Sequence, residues 1–279
     1  MNDQSANSFI NYFKFNSGLN LGETRRPQMG SMEFTSETKE KIYLRISTIG
    51  NFNNRESLVV RLIYPIINKL NLFRDQDLQM LEFFTRRRGL MIFSGPTGSG
   101  KTTLIYYLAR KLAKTSMVMS VEDPVEVNEP LFFQTQVNLS AKMTYSEIIK
   151  ASLRHRPDVL IIGEIRDETS AQAAITAALS GHLVFSTVHA RSIYGVIERL
   201  TDLGIKFSTL RNCLNSICYQ RLIPDQNQNI QTMTQIFDGF KSDYNFTEKD
   251  VLKVWQNQLM IAFNQNKISK ETLESFIYG

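Results

Sequence analysis

The sequence has few cysteines, few histidines and no long apolar run. Only two of its 279 residues are cysteines, Cys213 and Cys218, too few for a disulfide framework or a CxxC metal site. No apolar run approaches the roughly 18 residues that a membrane-spanning helix needs. Prolines number 7 and hydrophobic residues make up 42%, which excludes a disordered or collagen-like chain. The sequence therefore indicates a folded protein with a substantial core.

The charge balance is only mildly basic. Lys plus Arg total 32 and Asp plus Glu total 27, which gives a formal net charge of +5. Such an excess suits an acidic membrane surface or a nucleic acid without indicating either. The run Arg86-Arg87-Arg88 favours a solvated helix end over a nucleic-acid patch, because no aromatic residues alternate with the arginines. We therefore expect no direct contact with nucleic acid.

The length suggests about two domains. In the N-terminal part, β-branched residues predict strands at Lys41–Ser47 and Ser57–Ile63, and a helix is predicted over Asp75–Arg88 with Asp75 as its cap. Apolar strands then alternate with helices, and the predicted strands are Leu90–Ser94, Met117–Val121, Val159–Ile162 and Leu183–Val188. This alternation is typical of an α/β protein with a mainly parallel sheet covered on both faces. The predicted segments are an N-terminal domain over 1–67, a linker over 68–74, a core over 75–230 and a helical appendix over 231–279.

One segment fits the phosphate-loop pattern G-x-x-x-x-G-K-[ST] in full. Its residues are Gly95, Pro96, Thr97, Gly98, Ser99, Gly100, Lys101 and Thr102, with Thr103 next. The loop follows a predicted apolar strand and opens a predicted helix, the context that separates it from a chance glycine-rich turn. Glycines let backbone N–H groups face phosphate oxygens, and the helix N-terminus adds positive potential. We predict nucleotide binding, with Lys101 on the β- and γ-phosphates and the Thr102 hydroxyl on Mg²⁺.

Acidic residues follow two of the predicted strands. The first group is Glu122-Asp123-Pro124-Val125-Glu126, and the second position is Glu164. Carboxyl ends of parallel strands share the edge where α/β sheets bind ligands, and phosphoryl transfer needs a metal and a group that orients water. Gly163 stands where an aspartate commonly ends such a strand, so Glu164 is expected to act on Mg²⁺ through a bound water. An isolated carboxylate here is more often a helix cap, but two groups behind one phosphate loop favour a catalytic role.

Histidines and strand arginines complete the candidate set. His189 follows the predicted strand Leu183–Val188, level with the carboxylates, where it could contact the γ-phosphate. The alternative is a hydrogen-bonded strand-end histidine, and this applies equally to His155 and His182. In the N-terminal part, Arg45 and Arg61 are either surface residues or arginines that supply charge to a transition state.

Taken together, these strings resemble the secretion ATPases of type II secretion and type IV pilus assembly, most of all their competence-pilus branch. The resemblance runs from about Phe9 to about Gly239. Its four boxes are the Walker A box GPTGSGKTT (95–103), the Asp box VEDPVE (121–126), the Walker B box LIIGEIRD (160–167) and the His box GHLVFSTVHA (181–190). The strings SLRHRPD (152–158) and QRLIP (220–224) also match.

The resemblance implies a RecA-like P-loop core preceded by an α/β, PAS-like N-terminal domain, with Mg²⁺-dependent ATP hydrolysis between them. It implies a homo-oligomer, a hexameric ring, on the cytoplasmic face of an inner-membrane platform protein, where it drives assembly of a competence pilus for DNA uptake. A general secretion or pilus-retraction motor, or a nucleotide-gated scaffold with little turnover, are the alternatives. A DNA-translocating ATPase is disfavoured because no DNA-binding motif is present.

The resemblance also implies residue roles. Glu126 would be the general base, and His189 the sensor of the γ-phosphate. Arg45 and Arg61 would lie on the arginine-bearing strands that close on the nucleotide. The remaining roles are Mg²⁺ ligation through water for Glu164 and support from Glu122, Asp123 and His182.

Two departures from the family pattern lead to further expectations. The string FKFNSGLNLGETRRPQMG resembles a segment well inside the family's N-terminal domain, yet here it begins near residue 13. A truncated N-terminal domain is therefore expected, from a late-start gene model or a shortened variant. The four-cysteine metal loop of some relatives is absent, so no zinc is expected.

Overall fold

The chain separates into two compact units. A computed structural model describes residues 3–36, 41–63, 70–138, 141–240 and 244–279. The N-terminal unit takes in Met1–Ile66 and Glu126–Asn128, and the core unit takes in Ile67–Val125 and Glu129–Gly279.

The N-terminal unit combines one helix with a three-stranded antiparallel sheet. Its elements are α1 (Asp3–Asn16), β1 (Gln28–Thr35), β2 (Lys41–Gly50) and β3 (Glu56–Ile63), with β2 in the centre. Leu44 and Ile46 alternate with more exposed residues on β2, so one face of the sheet is buried.

A buried ion pair fixes α1 to β3. Lys14, in the last turn of α1, is completely buried and donates to both carboxylate oxygens of Glu56, at 2.8 and 3.0 Å. Its third contact is the carbonyl oxygen of Glu23, at 2.8 Å. Removing one partner of such a pair typically costs about 3–5 kcal/mol, because the other charge stays buried without compensation.

The core unit is a seven-stranded, mainly parallel sheet with helices between its strands. The elements are α2 (Asp75–Phe84), β4 (Gly89–Ser94), α3 (Lys101–Leu112), β5 (Val118–Glu122), β6 (Phe133–Gln136), α4 (Tyr145–Arg154), β7 (Val159–Ile162), α5 (Glu168–Leu179), β8 (Leu183–Val188), α6 (Ile193–Asp202), α7 (Phe207–Cys213), β9 (Leu214–Pro224), β10 (Ile230–Asp238), α8 (Glu248–Asn264) and α9 (Lys270–Phe276). The strand order is β10-β9-β4-β8-β7-β5-β6, and β9 with β10 is the antiparallel pair. Every residue of β4, β5, β7 and β8 is buried, as expected for strands covered on both faces.

The topology gathers one set of loops at one edge of this sheet. From β4 the chain crosses to β5 on one side, whereas from β8 it returns to β9 on the other side of β4. Such a reversal opens a crevice at the carboxyl ends of the strands, where α/β sheets bind ligands. The loops that follow β4, β5, β7 and β8 all leave from this edge, because these strands are parallel.

The C-terminal segment corrects the sequence prediction. Residues 231–238 belong to β10 and not to a helical appendix, and the terminal helices begin only at Glu248. β10 pairs with β9 along its whole length, with Thr234 opposite Gln220. Threonines and isoleucines in this segment suit a strand, and the hairpin with β9 completes the sheet.

The predicted linker over 68–74 also needs correction. Residues 68–69 lie outside the described residues, but Leu72 forms a parallel bridge with Thr232 and Phe73 is buried in the core. The end of this segment is therefore part of the core unit. The predicted helix over Asp75–Arg88 ends at Phe84, and its N-cap is Arg74 and not Asp75.

Candidate active site

The loop between β4 and α3 has the backbone geometry that its glycines permit. Gly95, Gly98 and Gly100 have φ angles of 143°, 79° and 84°, a region that residues with a Cβ rarely adopt. A Cβ on Gly95 would lie 2.2 Å from the carbonyl oxygen of Gln220 on β9, so only glycine allows this close approach. Gly100 caps α3 without a side chain. The first N–H groups of a helix have no intrahelical partner, which makes this end suited to an anion.

Lys101 places a cation against this loop. The side chain is buried, and Nζ donates to the carbonyl oxygens of Gly95 and Pro96, both at 2.9 Å. The ammonium group is thus held within the loop by the residues that form it. A buried cation at the N-terminus of a helix attracts phosphate strongly, because charge-assisted hydrogen bonds are the strong ones.

Carboxylates from two strand ends converge on one arginine. Arg166 forms an ion pair with Glu164, after β7, and lies 3.9 Å from Asp123, after β5. His189 Nε2, after β8, lies 3.7 Å from Glu164 Oε2. The structure therefore brings Asp123, Glu164 and His189 together at the carboxyl edge of the sheet. Arg166 was not predicted as a site residue, although it stands two positions after Glu164 in the same motif.

The two glutamates of the Asp box have different surroundings. Glu122 is buried, and its Oε1 accepts hydrogen bonds from Tyr106 Oη at 2.7 Å and Ser120 Oγ at 2.6 Å. These contacts tie the end of β5 to α3. Glu126 is exposed and groups with the N-terminal unit, not with the core unit that holds the phosphate loop.

Tyr145, at the start of α4, is a second residue that sequence reasoning missed. Its hydroxyl oxygen would lie 3.1 Å from a Cβ on Gly163, so a larger residue at position 163 would have to displace the Tyr145 side chain by a few tenths of an ångström. Burial raises the pKa of Tyr145, and the nearby carboxylates of Glu164 and Asp123 raise it further. The phenol therefore stays protonated beside the acidic cluster. An aromatic residue at a helix start carries no sequence signal for such a position.

His182 lies at the opposite edge of the sheet. It precedes β8, whereas His189 follows it, so seven residue-to-residue steps of about 3.3 Å each separate the two positions. Its Nδ1 lies 2.8 Å from the carbonyl oxygen of Pro157. The structure thus gives His182 the hydrogen-bonded role of an ordinary strand-end histidine and does not bring it to this site.

The two strand arginines face each other in the N-terminal unit. Arg45 on β2 pairs in register with Arg61 on β3, so both belong to the same face of that sheet. Arg45 is half-buried and Arg61 is exposed. Like charges directly opposite each other destabilise a sheet on their own.

The run Arg86-Arg87-Arg88 after α2 makes more contacts than a solvated helix end would. The guanidinium of Arg87 lies 4.8 and 4.7 Å from the ring centroids of Phe83 and Phe84 and forms a 2.8 Å ion pair with Asp238. Arg88 donates to the carbonyl oxygen of Asp158 at 2.8 Å. These arginines hold elements of the core unit together.

Within the described residues, no helix is long and apolar enough to cross a membrane.

Comparison with known proteins shows the family. The chain is 49% identical over 214 residues to competence protein ComGA of Streptococcus pneumoniae, covering 77% of this chain and 68% of that protein. It is 41% identical over 230 residues to competence protein ComGA of Bacillus subtilis, covering 80% and 64%. The chain therefore spans about two thirds of the length of these curated relatives.

A solved structure shows the same fold. The pilus retraction motor PilT, solved with bound ADP, superimposes with a TM-score of 0.71 at 22% identity, over 90% of this chain and 77% of that one. The family model described as type II/IV secretion system protein matches residues 2–269. The earlier resemblance is confirmed, and the chain belongs to the type II/IV secretion system protein family.

Proposed function

We propose that this chain is an ATPase motor subunit that hydrolyses ATP to ADP and phosphate and thereby drives assembly of a competence, type IV-like pilus for DNA uptake. One observation carries the proposal: a complete phosphate loop holds Lys101 against its own carbonyl oxygens, at the sheet edge where Glu164 and His189 meet. Identity of 49% to a competence protein favours the competence role over general secretion or pilus retraction.

The residues divide the chemistry between them. The loop 95–103 binds the phosphates through the backbone N–H groups of its residues other than Pro96, and Lys101 neutralises the β- and γ-phosphates. Glu126 acts as the general base that orients the attacking water. His189 senses the γ-phosphate and passes its loss to Glu164, which it contacts at 3.7 Å. Arg166 positions Glu164 and Asp123 relative to each other.

The site suits Mg²⁺. A hard cation of this kind prefers oxygen ligands, and this edge offers the Thr102 hydroxyl and the carboxylates of Glu164 and Asp123. Thr102 would hold the metal directly and Glu164 would hold it through a water. When bound, Mg²⁺ would neutralise charge on the β- and γ-phosphates.

The proposed motor is an assembly of several copies of this chain. A ring of identical chains, a hexamer, works against a platform protein at the inner face of the cell membrane. A motor of this kind must cycle, so substantial turnover is expected. A nucleotide-gated scaffold would bind ATP with the same loop but would turn it over little.

Substitution of Lys101 tests the function. We expect Lys101→Ala to abolish tight binding of a non-hydrolysable ATP analogue and all ATP turnover, because it removes the cation that the loop holds. Lys114→Ala, an exposed lysine just after α3, is the matched control and should behave as the wild type. Binding is measured by calorimetry and turnover by phosphate release.

Two outcomes would contradict the proposal. Unchanged affinity in Lys101→Ala would show that the loop is not the nucleotide site. Tight binding without turnover in the wild-type chain, at all protein concentrations, would select the nucleotide-gated scaffold.

A further inference from the structure

The side chain of Gln220 touches the phosphate loop from β9. This glutamine is completely buried, and its Nε2 donates to the carbonyl oxygen of Ser99 at 2.6 Å, across 121 positions of the chain. The same nitrogen would lie 3.4 Å from a Cβ on Gly100. The backbone oxygen of Gln220 would lie 2.2 Å from a Cβ on Gly95. One residue of β9 thus contacts both the beginning and the end of the loop.

The contact is retained at a cost. Among the described residues, Gln220 Oε1 and Ser99 Oγ are buried polar atoms without a hydrogen-bond partner. A buried polar atom left unpaired destabilises the folded state, because its hydrogen bond with water is lost and not replaced. An apolar side chain at position 220 would avoid the unpaired oxygen but would leave the Ser99 carbonyl without its donor. A role in shaping the loop explains why an amide occupies this buried position.

The strand that carries Gln220 is held firmly from its other face. Successive residues of a strand point to opposite faces, so Tyr219 and Arg221 face away from the loop. Tyr219 packs edge-to-face on Trp255 of α8, with centroids 5.4 Å apart, and Arg221 lies 5.2 Å from the ring centroid of Phe276. The amide of Gln220 is therefore presented to the loop by a fixed backbone.

We infer that Gln220 is the positioning residue of the phosphate loop. Its amide holds the Ser99 carbonyl oxygen against β9, so that the backbone N–H groups of the loop keep the arrangement that receives phosphates. This role rests on the proposed function, because it assumes that the loop binds a nucleotide. It also gives a function to the QRLIP string, to which the catalytic scheme assigns none.

The test compares two buried glutamines. Gln220→Met removes the donor while keeping the length of the side chain. Gln235→Met is the matched control, because Gln235 is also buried and also donates to a backbone carbonyl, that of Val251 at 2.9 Å, away from the loop. The measurements are the affinity for ADP with Mg²⁺, kcat and KM for ATP, hydrogen exchange of the amides of residues 97–101, and the unfolding temperature.

We expect Gln220→Met to weaken ADP binding about tenfold, which corresponds to about 1.4 kcal/mol, because a loop without this hydrogen bond is less ordered when empty and must be ordered on binding. KM for ATP should rise by a similar factor while kcat changes less than about threefold, since the contact positions phosphates and takes no part in the chemical step. Loop amides should exchange faster, and the unfolding temperature should change little because the unpaired Oε1 is removed too. Gln235→Met should leave ADP affinity and loop exchange unchanged.

Unchanged ADP affinity and unchanged loop exchange in Gln220→Met would overturn the inference. An equal loss in Gln235→Met would also overturn it, because the cause would then be general loss of core stability. If the wild-type chain binds no ADP, the proposed function fails instead, and the exchange of the loop amides still decides whether Gln220 holds the loop.

Discussion

Glu122 and Glu126 stand four positions apart in one acidic motif, and their surroundings separate their roles. Glu122 is buried and receives hydrogen bonds from Tyr106 and Ser120, so it anchors the end of β5 to α3. A general base must reach water, and Glu126 is the exposed one of the two. From the sequence, the assignment of Glu126 as the general base rested on a family resemblance. The burial of Glu122 gives a physical reason to prefer Glu126 for this role.

We expect Glu126→Gln to keep binding of an ATP analogue but to lower turnover at least about 10²-fold, the usual scale for a positioned base. Single-turnover phosphate release, with binding measured on the same samples, checks this. Glu122→Gln is the control. It keeps an acceptor oxygen for Tyr106 and Ser120, so it should leave turnover nearly unchanged. If Glu122→Gln were inactive and Glu126→Gln fully active, the general base would be Glu122 and not Glu126.

At the scale of elements, the start of α5 links the Walker B segment to the core. Asp167 caps this helix in a capping box, in which its carboxylate accepts from the Ser170 backbone N–H at 2.7 Å. This hydrogen bond lowers the pKa of Asp167 below its usual value, and the Ser170 hydroxyl lowers it further. The cap lies three residues after Glu164, so it fixes the end of the short segment that carries Glu164 from β7 to α5.

Removal of this cap should cost stability in a pH-dependent way. Asp167→Ala should lower the free energy of unfolding by about 1 kcal/mol at neutral pH, as for other N-cap losses. Because the folded pKa is lowered, the ionised cap contributes fully above the unfolded value of about 3.9 and loses its contribution as pH falls through the folded value.

Asp167→Asn separates the charge from the cap. Asparagine is an equally good N-cap, so this variant should keep most of the stability at neutral pH and lose the acid dependence. Urea unfolding from neutral pH down to about pH 3, with hydrogen exchange of the α5 amides, distinguishes the variants. Equal acid dependence in wild type and Asp167→Asn would show that the carboxylate charge contributes nothing.

At the scale of the whole molecule, the N-terminal unit has no phosphate loop but carries two arginines side by side. Arg45 and Arg61 occupy one register position of adjacent strands, where like charges repel. Such a pair suits an anionic partner, and in a nucleotide-driven ring the developing charge of the transferred phosphoryl group is the natural one.

We expect Arg45→Ala and Arg61→Ala to lower turnover much more than nucleotide affinity, by up to about 10³-fold if they supply transition-state charge. ATP analogues should promote ring formation, measured as native mass with and without nucleotide. Lys41→Ala is the control, because this exposed lysine pairs with Glu33 on the same sheet. Full activity of the double variant with a monomeric mass at saturating analogue would reduce both arginines to surface residues.

The sequence by itself determined the phosphate loop, the central parallel strands and the family. These features are local: a glycine pattern dictates backbone geometry, and the short apolar runs of β4, β5, β7 and β8 stand between amphipathic helices. Each signal needs only a few consecutive residues, so no tertiary information is required to recognise it.

Only the tertiary structure decided which distant residues meet. β9 was missed as a strand because a strand buried on both faces shows no alternation, and its parallel pairing with β4 is long-range. Among the strands that the structure describes, β10 pairs only with β9, so it was missed together with it. The contact of Gln220 with the loop and the convergence of Asp123 and Glu164 on Arg166 follow from strand order and direction. Parallel strands bring their carboxyl ends to one edge whatever their distance in sequence, and that edge is where the phosphate loop, Asp123, Glu164 and His189 lie.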